Sequence, residues 1–122
     1  AFARINSILR TLNLNLYEKI DLNENNIFFN KMEEKIIRKV FEWPKIIESA
    51  SRKFDLHKIP FYLYELSTLF HAYWSKGNDD ENYKFIENNQ IKRKEILIVI
   101  NLIALVIKNG MGILGVSLPK KM

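Results

Sequence analysis

The run Ile96-Leu97-Ile98-Val99-Ile100-Asn101-Leu102-Ile103-Ala104-Leu105-Val106-Ile107 decides the fold. It is apolar on every side of a helix apart from Asn101, and is bracketed by Lys92-Arg93-Lys94-Glu95 and Lys108. A bilayer-spanning helix needs about 20 predominantly apolar residues, more than this run supplies. A helix hydrophobic all round is more simply the central rod of a bundle, buried by its neighbours. The pattern predicts this helix over about Gln90 to Asn109, with Gly110 as its left-handed stop. No membrane partner is expected.

The helices around the rod are read outward from it. Leu63, Leu66, Phe70 and Tyr73 form the apolar face of a helix that starts near Asp55, has Pro60 in its first turn and ends at Lys76-Gly77-Asn78-Asp79-Asp80. Tyr64, Ser67, His71 and Trp74 sit on a flanking, mixed face. The polar stretch from there to Asn89 is the longest candidate loop and the expected site of greatest mobility. Further upstream, Asn30 and Glu33 make a capping box. The helix it opens is expected to bury Met32, Ile36, Ile37, Val40 and Phe41, and to show Glu34, Lys35, Arg38 and Lys39 to solvent, with Glu34 and Arg38 in supporting i,i+4 order. Pro44 stops or kinks that helix and begins another, with Ile46, Ile47, Ala50 and Phe54 as its buried set. Ile5, Leu9, Leu12 and Leu16 mark a first helix from Ala1 to about Leu16, and Asp21 to Asn30 reads as a loop. There is no internal repeat and no clear strand. The expectation is one all-α domain over residues 1–122, a bundle of about five helices.

Composition narrows the function. The chain has 122 residues, enough for one modest core, and a 48% hydrophobic fraction that argues against disorder. It has no cysteine, which removes disulfides, thiolate zinc sites and cysteine nucleophiles. That is compatible with a reducing cytoplasm, where the protein is expected, and no signal peptide is visible. Two separated histidines and no Gly-rich phosphate loop leave no complete catalytic constellation. The net charge of +5 fits nucleic acid or an anionic surface. A solvated basic face, with lysine enriched by an AT-rich genome, accounts for the same number.

Four blocks, in order, resemble arginyl-tRNA synthetases. Ala3-Arg4-Ile5-Asn6-Ser7-Ile8-Leu9-Arg10 is similar to the family's Tyr-Ala-His-Ala-Arg-Ile-x-Ser-Ile-Leu-Arg helix. Glu42-Trp43-Pro44-Lys45-Ile46-Ile47-Glu48-Ser49-Ala50 resembles Glu-Phe-Pro-x-Val-Val-x-x-Ala. Tyr62-Leu63-Tyr64-Glu65-Leu66 and Phe70-His71-Ala72-Tyr73-Trp74 resemble Tyr-Leu-Tyr-Glu-Leu and Phe-His-x-Phe-Tyr. Asn109-Gly110-Met111-Gly112-Ile113-Leu114-Gly115 through Pro119 to Met122 resembles the family's closing Gly-(Met/Leu)-x-Leu-Leu-Gly-x-x-x-Pro-x-x-Met tail.

The resemblance implies the C-terminal, helical anticodon-binding domain of such an enzyme, part of a longer polypeptide whose catalytic domain lies elsewhere. The family's nucleotide-binding signatures, His-Ile-Gly-His and Lys-Met-Ser-Lys-Ser, are missing. Lys31-Met32-Glu33-Glu34-Lys35 only superficially resembles the second. No catalytic residue, cofactor or metal is therefore expected here. ATP and Mg2+ would serve the parent enzyme. The implied partners are the anticodon loop of tRNA-Arg and the catalytic domain of the same chain, with no oligomer expected.

All arginine anticodons share a middle C, which family members splay into a pocket beside aromatic side chains and the terminal residue. Unstacked bases are read in this way, by stacking and by hydrogen bonds to their edges. Trp74 falls where many members have the pocket Tyr, and carries an indole N–H donor in place of a hydroxyl. Its ordinary alternative is a helix-end aromatic packed under a loop. Met122 matches the terminal Met, with a polarizable side chain and a carboxylate acceptor, against the ordinary fraying of a terminus. Arg4 matches a family arginine that would touch the loop or pair within the bundle. Tyr73 lies beside Trp74 in the same block. Asn109 would reach a base edge or cap carbonyls. Arg38, Lys39, Lys120 and Lys121 are candidate phosphate contacts, or parts of a solvated surface. His71 reads as a packing histidine and His57 as a helix-start residue. The rival reading is a helical protein-interaction module without an RNA role, anchored by exposed Trp43, Trp74 and Tyr64.

Overall fold

A computed structural model describes residues 2–11, 27–53, 55, 57–88 and 90–115. Among them lie five α-helices: α1 (Phe2–Thr11), α2 (Lys31–Val40), α3 (Trp43–Lys53), α4 (Lys58–Asp79) and α5 (Lys94–Leu114). A 3-10 turn at Glu81–Tyr83 and a two-stranded antiparallel hairpin, β1 (Ile86–Glu87) with β2 (Gln90–Ile91), join α4 to α5. The helical bundle is the architecture the apolar periodicity predicts. Leu12, Leu16, Phe54 and the tail beyond Gly115 lie outside the described residues.

The apolar run is the central rod. Ile96, Val99, Ile100, Ile103, Ala104, Val106 and Ile107 are buried, and α5 packs against α1, α2 and α4. From α1 come Phe2, Ile5, Ile8 and Leu9, from α2 Ile36 and Val40, and from α4 Ile59, Tyr62, Leu63, Leu66, Phe70 and Tyr73. Each large apolar side chain buried this way contributes about 1.5–3 kcal/mol against exposure. Helix α3 packs on α4.

The capping box forms as the sequence predicts: Asn30 Oδ1 accepts from the Glu33 N–H, and Glu33 Oε1 accepts from the Asn30 N–H, both at 2.9 Å. Glu34 and Arg38 come within 4.0 Å. Four readings are corrected. Phe41 is exposed, not buried, because it is the C-cap of α2 and the chain turns there toward Pro44. Trp43 is buried rather than an exposed anchor: it opens α3, stacks on Tyr62 at 5.3 Å, and its indole N–H donates to Asn109 Oδ1 at 3.1 Å. Gly110 does not stop α5. It is buried inside the helix, where a Cβ would come within 2.8 Å of Leu63 Cδ1 and 3.2 Å of the Trp43 ring. The stop is Gly115, at φ 72°. Finally, a strand pair appears where none was read: β1 precedes Asn89 and β2 takes up Gln90, so α5 begins at Lys94 rather than Gln90, and Phe85 in the polar stretch is buried.

Gly77 lets this return segment close on α4. A Cβ there would sit 2.9 Å from the Tyr83 carbonyl oxygen and 3.1 Å from Lys84 Cα. The chain therefore folds back directly over the end of the helix and drives Phe85 inward.

Candidate nucleic-acid interface

Phe85 completes a column of touching rings that runs from the buried Tyr73 to the half-buried Trp74. Tyr73 lies 4.5 Å from Phe85, Phe85 meets Trp74 edge to face at 5.1 Å, and the Arg4 guanidinium stands 5.3 Å from the centre of the Trp74 ring. Tyr73 is fully buried, Trp74 and Arg4 half-buried. Arg4 and Trp74, seventy positions apart, are thus brought together. A cation over an indole face is an attractive pair, worth about 0.5–2 kcal/mol according to its solvation. The Arg4 Nε is buried and has no hydrogen-bond partner among the described residues.

The inner end of the column is fixed by charge. Tyr73 donates its hydroxyl to Glu33 Oε2, and Arg93 holds the same carboxylate with both terminal nitrogens at 2.9 Å. Glu33 is wholly buried, so this bidentate pair satisfies a charge that would otherwise be expensive. Burial, and then the neighbouring Glu33, push the Tyr73 phenol well above its ordinary range, so it stays a donor. Arg93 also donates to the Phe28 carbonyl at 2.6 Å, while Glu95 accepts from the Phe28 N–H at 2.9 Å. Burial works against the Glu95 charge. The Phe28 N–H and the Arg93 guanidinium outweigh it and hold the carboxyl below its usual range. Tyr73 is thereby committed to the bundle interior.

His71 is exposed, one turn before Trp74, with its ring against Phe70 at 5.6 Å. Burial of part of the ring, together with the positive charge of Arg4, lowers its pKa and favours neutral imidazole. His57 precedes the first turn of α4, as expected, without a side-chain cap.

The remaining candidates stand apart from the column. Asn109, exposed on α5, lies beside Trp43 and follows the Leu63 end of α4. Leu63 and Trp74 are eleven residues apart on that helix, about 16 Å at 1.5 Å per residue. Lys39 is held at 3.2 Å by Glu65, and its ammonium lies 5.0 Å from the Tyr62 ring. Arg38 is 81% exposed at its side chain. Both line a groove of about 510 Å³ between α2 and α4, with Lys35, Tyr64 and Glu65 among its other walls. Glu65 and Trp74 are nine residues apart, roughly half a turn around the helix axis at about 100° per residue. The groove therefore occupies the flank of α4 away from Arg4 and Trp74. Met122, Lys120 and Lys121 lie outside the described residues.

The arrangement, a cation–aromatic pair at the surface of a helical bundle, is suited to a flat, negatively charged partner. Residues 1–122 match the family described as DALR anticodon binding domain. The chain belongs to that family. Relatives named arginine–tRNA ligase share its sequence: one from Pelagibacter ubique at 41% identity over 99% of this chain and 21% of the relative, one from Roseobacter denitrificans at 32% over 100% and 22%, and one from Methylobacterium sp. at 41% over 74% and 16%. The chain thus spans about a fifth of the length of these relatives. No solved structure gives a significant match.

Two groups that support the Arg4–Trp74 pair of this DALR domain escape a reading of the sequence. Phe85 hides in a polar stretch, signalled only by the alternation Tyr83-Lys84-Phe85-Ile86. Arg93 looks like one more cation in Lys92-Arg93-Lys94, and its role depends on a carboxylate sixty positions away. A further cation–aromatic pair, Lys76 over Tyr83 at 5.5 Å, flanks the same end of α4.

Proposed function

We propose that this DALR domain reads the anticodon loop of tRNA-Arg as one part of an arginine–tRNA ligase, in the cytoplasm. Catalysis would belong to the rest of the polypeptide, where ATP and Mg2+ would activate arginine before its transfer to the tRNA. The observation that carries the proposal is the meeting of Arg4 and Trp74 at the surface, in a chain matched over its whole length to an anticodon-binding family.

In this reading the shared middle C of the anticodon leaves the loop stack and settles at the Arg4–Trp74 pair. Stacking would contribute about 1–3 kcal/mol, and hydrogen bonds to its edge would give specificity. Met122 would close the site from the tail, and Lys120 and Lys121 would approach neighbouring phosphates. Asn109 stays with Trp43, and Tyr73 supports the column from below. Arg38, and Lys39 if freed from Glu65, would meet phosphate outside the loop on the far flank of α4.

The test is binding of an arginine-tRNA anticodon stem-loop, compared with the same stem-loop carrying U in place of the middle C. A preference for C supports anticodon reading. Equal, salt-sensitive binding of both would leave only a basic surface. Absence of binding by the chain and by its parent enzyme would reject an RNA role.

A further inference from the structure

The end of α4 away from Trp74 carries a second surface of different chemistry. Phe41 is 72% exposed, Phe61 69% and Tyr64 72%. Single exposed apolar residues are ordinary, but several beside a concavity mark a contact surface. Phe61 edges a hollow of about 460 Å³, bordered by the end of α2, the first turn of α3 and the start of α4. Phe61 and Tyr64 are three residues apart on one face of α4, and Phe41 precedes Glu42, which lines the hollow. Half-buried Ile46 and buried Tyr62 give it an apolar floor. Tyr62 is fixed there, its ring stacked on Trp43 and its hydroxyl donating to the Lys39 carbonyl. Glu42, Asp55 and Glu65 line the same hollow with Lys39 and Lys58. Lys39 is held by Glu65 at 3.2 Å, and Lys58 donates to Ser49 Oγ at 2.7 Å. The rim is therefore acidic, in a chain whose net charge is +5.

We propose that this hollow is the seat of another part of the same polypeptide: an apolar side chain enters over Ile46 and Tyr62 beside Phe61, and a neighbouring lysine or arginine meets Glu42 and Asp55. The chain spans about a fifth of the length of the arginine–tRNA ligases it resembles, so most of such a polypeptide lies outside this domain and must hold it in place. Exposed aromatic rings over an apolar floor are the usual anchors of a protein contact. RNA is the poorer occupant, because its phosphates would face the carboxylates of this rim. Phe61 and Trp74 are thirteen residues apart on α4, about 20 Å at 1.5 Å per residue, so a segment seated here leaves the Arg4–Trp74 end open. Arg38 belongs to the neighbouring groove. The inference rests on the reading of this chain as one part of a longer ligase, and is independent of which anticodon base is read.

The chain has no cysteine, so a single introduced thiol reports on the seat. His57 is exposed, lines the hollow and makes no side-chain cap bond. His57→Cys is placed in this chain alone and in the parent enzyme without RNA, and maleimide labelling of its peptide is followed by mass spectrometry. Asn78→Cys, exposed at the other end of α4, serves as the reference, and circular dichroism verifies that each variant folds. If the hollow is a seat, position 57 labels roughly tenfold or more slowly in the parent enzyme than in the chain alone, as for a group reached only by local opening, while position 78 labels at similar rates in both. Adding Phe61→Ser or Glu42→Lys should restore fast labelling at position 57 in the parent enzyme and change nothing in the chain alone. Equal rates at position 57 in chain and parent would overturn the seat. Protection that develops only when tRNA is added would overturn it too, and give the hollow to RNA. A retained preference for the C-containing stem-loop would leave anticodon reading standing in either event.

Discussion

Arg93 grips Glu33 with two hydrogen bonds of 2.9 Å although sixty positions separate them, and Tyr73 donates to the same carboxylate. This clamp joins the start of α2 to the start of α5 and to the inner end of the aromatic column. Arg93→Ala would strand a fully buried carboxylate. We expect a loss of about 3 kcal/mol, at the low end for a broken buried pair because Arg93 is partly exposed. Urea denaturation measures it. Arg93→Lys should recover only part, since a single ammonium lacks the planar fork that offers two parallel N–H donors to the carboxylate.

The helical interior around Gly110 separates crowding from propensity. Gly110→Ala gains about 1 kcal/mol of helix propensity but places a methyl 2.8 Å from Leu63 Cδ1 and 3.2 Å from the Trp43 ring. Overpacking of this kind costs about 1–3 kcal/mol, so the variant should be less stable than the parent. Gly112→Ala, with nothing among the described residues within 4 Å of the added carbon, should be more stable by about 0.5–1 kcal/mol. Thermal melts of the two should shift in opposite directions.

Asn109 is expected to act on stability rather than on RNA. Removing its acceptor in Asn109→Ala frees the indole N–H of buried Trp43 and should cost about 1 kcal/mol. Tryptophan emission would report the changed surroundings of Trp43. Stem-loop affinity should stay unchanged, because this contact lies at the far end of α4 from Trp74. A selective loss of binding to the C-containing loop would return Asn109 to the reading surface.

Acid should loosen the residue 28 end of the bundle. The Glu95 carboxyl is held below its usual range in the folded chain, so its stabilising contribution is complete above the ordinary carboxylate value and is lost as pH falls through the lowered one. Stability should therefore decline as the solution is acidified below about pH 4.5, near the ordinary glutamate range. Glu95→Gln should flatten that decline while lowering stability at neutral pH. An unchanged pH profile for Glu95→Gln would show that other carboxylates govern acid unfolding.

What the sequence discloses is largely local. The Asn30–Glu33 box needs only a three-residue spacing, and the face of Leu63, Leu66, Phe70 and Tyr73 only a helical period, and both are found. The misread positions depend on neighbours that periodicity cannot supply. Phe41 fits the apolar stripe of α2 but falls where the helix ends. Gly110 has the composition of a stop, yet its missing side chain serves a close approach of Trp43 and Leu63. Of the candidate site, resemblance picked out Arg4 and Trp74 separately, and the structure brings them into contact. The Phe85 beneath them, and the Arg93–Glu33 clamp below that, exist only once distant segments meet.

Gly77 touches none of the proposed RNA contacts, yet it decides how closely the chain can return over α4 and so where Phe85 comes to rest. The seat of Trp74, which meets Phe85 edge to face, is in effect calibrated there, by the thickness of the backbone crossing at that glycine. A methyl group there would lengthen the ruler without altering any mark on it: every residue that meets the partner would keep its chemistry and miss its distance.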